Sequence, residues 1–188
     1  MTINSSLESE MQCDLSIFEP LGFTTNGLVH QLRKDVQEVF NSMAGIKNIL
    51  PATMRIVAPI KSFEHSITAM IGLAGTYDGT VSLHTPMNLA MDFTAGMLGM
   101  AVTELDDDVL DALGEISNMV AGSVKDYLSR SGAILKISTP SVVAGDKYRY
   151  LSGNQSDTLT LGFTSGAHLF LVCVTVLVKQ FHNSNSRH

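Results

Sequence analysis

Glu115 and Asn118 lie three residues apart in the stretch Asp111 to Asp126, DALGEISNMVAGSVKD. A carboxylate can hold a cation. A carboxamide presents an acceptor and a donor together and does not titrate near neutrality. Three apart on a helix, the two side chains are neighbours one turn from each other. The spacing predicts that helix. Counted at about 100° per residue, Leu110, Leu113, Ile116, Ser117, Val120, Val124, Tyr127 and Leu128 form one apolar stripe. Asp111, Glu115, Asn118, Gly122 and Asp126 gather at the opposite pole. Gly122 costs about 1 kcal/mol relative to Ala in a helix interior, and close approach of another backbone is one reason to keep it.

A lone Glu-x-x-Asn is a weak pattern whose ordinary reading is a solvated helix face. Here it occurs twice. Glu38 to Gly45 (EVFNSMAG) lines up with Glu115 to Gly122 (EISNMVAG), with identities at Glu, Asn, Ala and Gly. Leu32, Val36, Val39, Phe40 and Met43 supply the core face of the first copy, with Glu38, Asn41 and Gly45 opposite. After each helix Arg55–Pro59 matches Lys136–Pro140, a short strand closed by a proline. Two copies do not make a solenoid, so one domain built by duplication is expected.

Other chemistries lack their residues. The six His form no H-x-x-x-H or H-E-x-x-H arrangement, and His84 and His168, in strand-like runs, read as structural. There is no G-x-S-x-G and no glycine-rich phosphate loop. Asp106, Asp107 and Asp108 suit the start of a helix as cap and dipole partners, and lack the Gly and terminal Glu of an EF-hand loop. Cys13 and Cys173 belong to no metal-type cluster, and a disulfide framework is not expected.

The elements that must position the pair follow from periodicity and turn residues. A first helix is expected over about Gly27–Met43, capped by Asn26, and Pro51 rules out its continuation. Residues 53–60 and 65–75 are β-rich, with a hairpin turn at Asp78-Gly79. A helix follows over Met87–Leu98, then the central helix, which ends at Ser129–Gly132. Strands are expected at about 133–139, 142–150, Thr158–Phe163 and His168–Val178, with turns at Ser152–Asn154 and Ser165–Ala167. The predicted fold class is α+β: long helices on one face of a mostly antiparallel sheet, in two layers with internal pseudo-twofold duplication. Residues 1–25 read as a partly disordered arm and 181–188 as a frayed tail. Residues 26–180 read as one domain of two repeats, about 26–85 and 106–180.

The 188 residues fit one domain by the rule of about 100–200 residues each. A net charge of −6 gives no electrostatic footprint for nucleic acid. The start lacks a secretory signal. The longest apolar run, Ala167 to Val178, is broken by His168 and Thr175 and falls short of the about 20 residues of a membrane span. A cytoplasmic protein without membrane insertion is expected.

Asp111-x3-Glu115-x2-Asn118, followed by Pro140, resembles the signature of the CheC/CheX family, phosphatases of the phosphorylated CheY-type response regulator in bacterial chemotaxis. The resemblance covers about residues 27–178. The first copy departs from it: Lys34 stands where the family has Asp or Ser, and Pro59 comes sooner after Asn41. The resemblance therefore points closest to CheX, whose second half carries the working helix. It implies that Asn118 holds a water in line with phosphorus and that Glu115 forms a salt bridge to the regulator's active-site Lys. It implies supporting or docking roles for Asp111, Gly122 and Pro140. Glu38 and Asn41 form a candidate second site. No cofactor and no metal of its own is implied, since Mg2+ belongs to the phosphorylated regulator. The implied partners are a CheY-like response regulator and, through sheet edges, a second copy of the chain. The rival reading is a non-catalytic module that holds a receiver domain or a flagellar-switch component.

Overall fold

The computed structural model describes residues 25–56, 62–150 and 158–177. The expected arm, the tail, the Ser152–Asn154 turn, Pro59 and Cys13 lie outside the described residues. In chain order the elements are α1 (Thr25–Ala44), β1 (Ile49–Ile56), β2 (Ser62–Gly75), β3 (Asp78–Pro86), α2 (Met87–Leu98), α3 (Asp107–Ser129), β4 (Leu135–Ile137), β5 (Ser141–Arg149), β6 (Thr158–Ser165) and β7 (His168–Leu177). The strands form one sheet in the order β1-β6-β7-β3-β2-β4, and β5 also pairs with β2. Every ladder is antiparallel.

Strand alternation divides the sheet into two faces. Ile67, Ala69, Ile71, Val81, Leu83, Leu161, Phe163, Phe170, Val172 and Val174 join the same buried cluster as the apolar stripes of the helices. This is the expected α+β arrangement. Phe40 of α1 and Phe93 of α2 hold their ring centroids 4.5 Å apart, and both meet Phe170 of β7, at 4.9 and 5.6 Å. The helices approach closely where Gly96 of α2 passes the end of α1. A Cβ at Gly96 would stand 2.1 Å from the Ala44 carbonyl oxygen.

The duplication is written in the strand order. Call β1, β2 and β3 the strands of the first half, and β4–β5, β6 and β7 those of the second. The first strand of each half then lies beside the second strand of the other, and the two third strands meet in the middle. Each first strand is interrupted once. β1 pairs with β6 through Pro51 and resumes at Arg55. In the second half β4 ends at Ile137, and pairing with β2 resumes at Ser141. Pro140 sits in that interruption, and the matching interruption of β1 falls between Pro51 and Arg55.

Three local expectations are corrected. α1 begins at Thr25, which puts Asn26 inside the helix instead of capping it. The β2–β3 turn is Thr76-Tyr77, and Asp78-Gly79 opens β3. Gly79 is there because a Cβ would stand 2.2 Å from the Thr175 carbonyl oxygen of β7. The sequence alignment of Arg55 with Lys136 is replaced by the ladder register above.

Candidate functional site

α3 starts where its acids predict. The Asp106 carboxylate caps it by accepting from the Val109 N–H at 3.2 Å, and Asp107 and Asp108 fill the first turn, where negative charge meets the positive end of the helix dipole. Val109, Leu113, Ile116, Val120, Val124 and Leu128 are buried against the sheet and the other helices. That leaves the opposite flank outward. Asp111 and Glu115 are exposed, and Asn118 and Gly122 are half-buried. A Cβ at Gly122 would meet nothing within 4 Å, so none of the described residues uses the space that glycine leaves. Among the described residues, the side chains of Asp111, Glu115 and Asn118 have no hydrogen-bond or ion-pair partner. Further along the row Asp126 is paired with Lys125 at 3.5 Å.

Beside Glu115 the surface dips into a groove of about 280 Å³, lined by Leu110, Asp111, Gly114, Glu115, Pro140 and Val142. Pro140 and Val142 come from the start of β5 and the break before it, which the β2 ladder presses against α3. Asp111, Glu115 and Pro140 are thus brought together around one groove. Asn118 and Gly122 stand further along the same flank, outside the groove. Gly114 is the residue the sequence reading missed. It is buried, and a Cβ there would lie 3.4 Å from Pro140 Cβ and 3.9 Å from Val142 Cγ2. Its signal was a second glycine in the same helix, one residue before Glu115.

The first copy is placed differently. Glu38 and Asn41 are exposed on α1. Less than two turns of helix follow Glu38, whereas about four follow Glu115. The buried series that closes each helix gives the register: Leu32, Val36, Phe40 and Ala44 in α1, Ile116, Val120, Val124 and Leu128 in α3. By that register Gln31 and Lys34 occupy the places of Glu115 and Asn118. Gln31 there donates to the Asp35 carboxylate at 2.7 Å. The Glu38–Asn41 pair repeats in sequence but lies about two turns further along the fold.

The sheet's second face carries a buried polar cluster. The His84 ring stacks on Phe63 with centroids 4.4 Å apart. Its Nδ1 lies 2.7 Å from Thr68 Oγ1 and its Nε2 lies 2.9 Å from Ser82 Oγ. Burial pushes its pKa down to about 4. Both ring nitrogens are satisfied, which makes His84 structural, as expected. Among the described residues no group of three or more His, Cys, Asp or Glu could hold a metal ion. None of the described helices is long and apolar enough to cross a membrane.

The family model described as chemotaxis phosphatase CheX matches residues 67–164, just over half of the chain. The chain belongs to the CheX family. The matched stretch contains Asp111, Glu115, Asn118, Gly122 and Pro140, and leaves out Glu38 and Asn41. The CheY-P phosphatase CheX of Thermotoga maritima is 30% identical over 121 residues, 63% of this chain and 76% of that protein. A putative chemotaxis protein from Desulfovibrio vulgaris Hildenborough superposes with a TM-score of 0.71 at 26% identity, covering 80% of this chain and 97% of its own. The CheX–CheY–BeF3–Mg2+ complex of Borrelia burgdorferi shares the fold at 18% identity, with a TM-score of 0.65, covering 79% of this chain and 96% of that one. Within this CheX-family chain, then, the exposed flank of α3 and its groove form the candidate active surface.

Proposed function

We propose that this CheX-family phosphatase hydrolyses the aspartyl phosphate of a CheY-type receiver domain with the outer flank of α3. The observation that carries the reading is the exposure of Glu115 beside a half-buried Asn118, one turn apart and unpartnered among the described residues. An acyl phosphate is already activated, so catalysis asks mainly for positioning and charge placement. The Asn118 carboxamide accepts a hydrogen bond from a water and holds it in line with phosphorus. The water oxygen bonds to phosphorus as the acyl P–O bond breaks, which frees the receiver's carboxylate and inorganic phosphate. Glu115, as an anion, stays off the phosphate and pairs with a lysine of the receiver. Asp111 and Pro140 support docking at the rim, and Gly122 leaves room for the partner backbone.

The Mg2+ of the reaction belongs to the receiver in this reading, and the chain needs no cofactor of its own. The Borrelia relative, seen with CheY, BeF3 and Mg2+, supports a receiver as partner. The reaction is placed in the cytoplasm. A homodimer paired through an outer strand, β1 or β5, completes the proposal. The acyl-phosphate lifetime of a phosphorylated receiver tests it. Wild type shortens that lifetime, and Asn118→Ala removes about 10²-fold of the acceleration, the usual scale for losing one preorganised polar group. A wild-type protein that leaves the lifetime unchanged defeats the phosphatase reading.

A further inference from the structure

We infer that Gly114 is a positioning residue for receiver docking: its missing side chain opens the groove in which a long basic side chain of the receiver lies, stem on Pro140 and Val142, cation between Asp111 and Glu115. The inference rests on the proposed function and adds to its Glu115 contact the seat of the partner's side chain and the residue that makes room for it.

The chemistry of the groove selects this occupant. Its floor and wall are Leu110, Gly114, Pro140 and Val142, and its rim carries two carboxylates, one turn apart on α3. Among the described residues no cation pairs with either carboxylate. Lys and Arg lay their alkyl stems on apolar surface and keep the charged head at a polar edge, and the groove offers both. A hydrophobic side chain would leave the carboxylates unpaired, and an anion would be repelled. The depth is set at Gly114. One added methyl makes ordinary contact with Pro140, whereas any longer side chain must run into the groove or displace the proline.

The test uses the full chain and a CheY-type receiver carrying Mg2+ and BeF3, with Kd from titration, and the phosphorylated receiver for kcat and KM. Gly114→Gln raises Kd and KM about tenfold or more with kcat within about threefold, because it removes binding common to ground and transition states. Gly114→Ala stays within about threefold of wild type in both, since its methyl fits. Asn118→Ala shows the reverse split, with kcat lost and Kd kept. Pro140→Ala, which alters the groove from the strand side without burdening the helix, also raises KM and keeps the test open if Gly114→Gln fails to fold. A folded Gly114→Gln protein that docks like wild type overturns the inference and leaves the phosphatase reading standing. A wild-type chain that neither binds nor dephosphorylates the receiver overturns both.

Discussion

An amide and a carboxylate one helical turn apart divide the work because only one of them can face phosphate. Asn118 is neutral and can approach; Glu115 is better placed against a cation. Both types were legible from the sequence, since polarity at the pole opposite an apolar stripe needs only the 3.6-residue period. Gly114 was not legible in the same way, because its role depends on a proline that only the sheet brings near. Ser117 is a second residue whose meaning needs the fold. It belongs to the expected core stripe and is only 2% exposed, and its hydroxyl has no hydrogen-bond partner among the described residues. A buried unsatisfied hydroxyl destabilises by about 1–3 kcal/mol, and Ala is the better helix former. Ser117→Ala is expected to stabilise the chain by about 1 kcal/mol, read as a rise in Tm of about 2–4 °C. A lower Tm would mean that the hydroxyl is satisfied in solution.

Helix α3 and helix α1 share a sequence pattern but not a place. Each presents its closing apolar series to the sheet in one register, and in that register Gln31 and Lys34, not Glu38 and Asn41, stand where the α3 pair stands. A shift of two turns preserves the apolar face almost unchanged, because seven residues return a helix close to its starting angle. That is why matching by sequence found Glu38 and the buried series of the two helices did not. The junction of α1 with α2 is set just as tightly. Gly96 sits inside α2, where Ala would ordinarily be favoured by about 1 kcal/mol. Here a methyl would overlap the Ala44 carbonyl oxygen at 2.1 Å. Overlap with backbone outweighs propensity, so Gly96→Ala is expected to cost about 3 kcal/mol, at the upper end of overpacking penalties, measured as a lower urea midpoint with the m-value unchanged.

For the molecule as a whole, the two faces of the sheet respond differently to acid. The helix-covered face is apolar. The second face buries His84 between Phe63 and Tyr150, with its nitrogens tied to Thr68 and Ser82. Desolvation holds its pKa near 4, below the ordinary 6.5. The folded state therefore disfavours the proton that the unfolded chain accepts. The stability this contributes is fully present above about pH 6.5 and is lost as pH falls towards 4, by about 3 kcal/mol over that interval. Denaturant titrations of wild type and His84→Gln between pH 7 and 4.5 check the sign. The variant is less stable at pH 7 but loses less on acidification. A variant that falls as steeply as wild type would assign the acid sensitivity to the carboxylates instead.

Local sequence alone determined the helix of the site, its cap at Asp106, its polar flank with Glu115 and Asn118, the α+β class and the presence of a duplication. Those features depend on residue type, period and capping chemistry, which act over a few residues. Only the tertiary structure decided that a groove lies beside Glu115, where Pro140 lands, and that the second Glu-x-x-Asn lies out of register. The first strand of each half pairs across to the other half, and a contact between residues so far apart in the chain leaves no periodic trace in either.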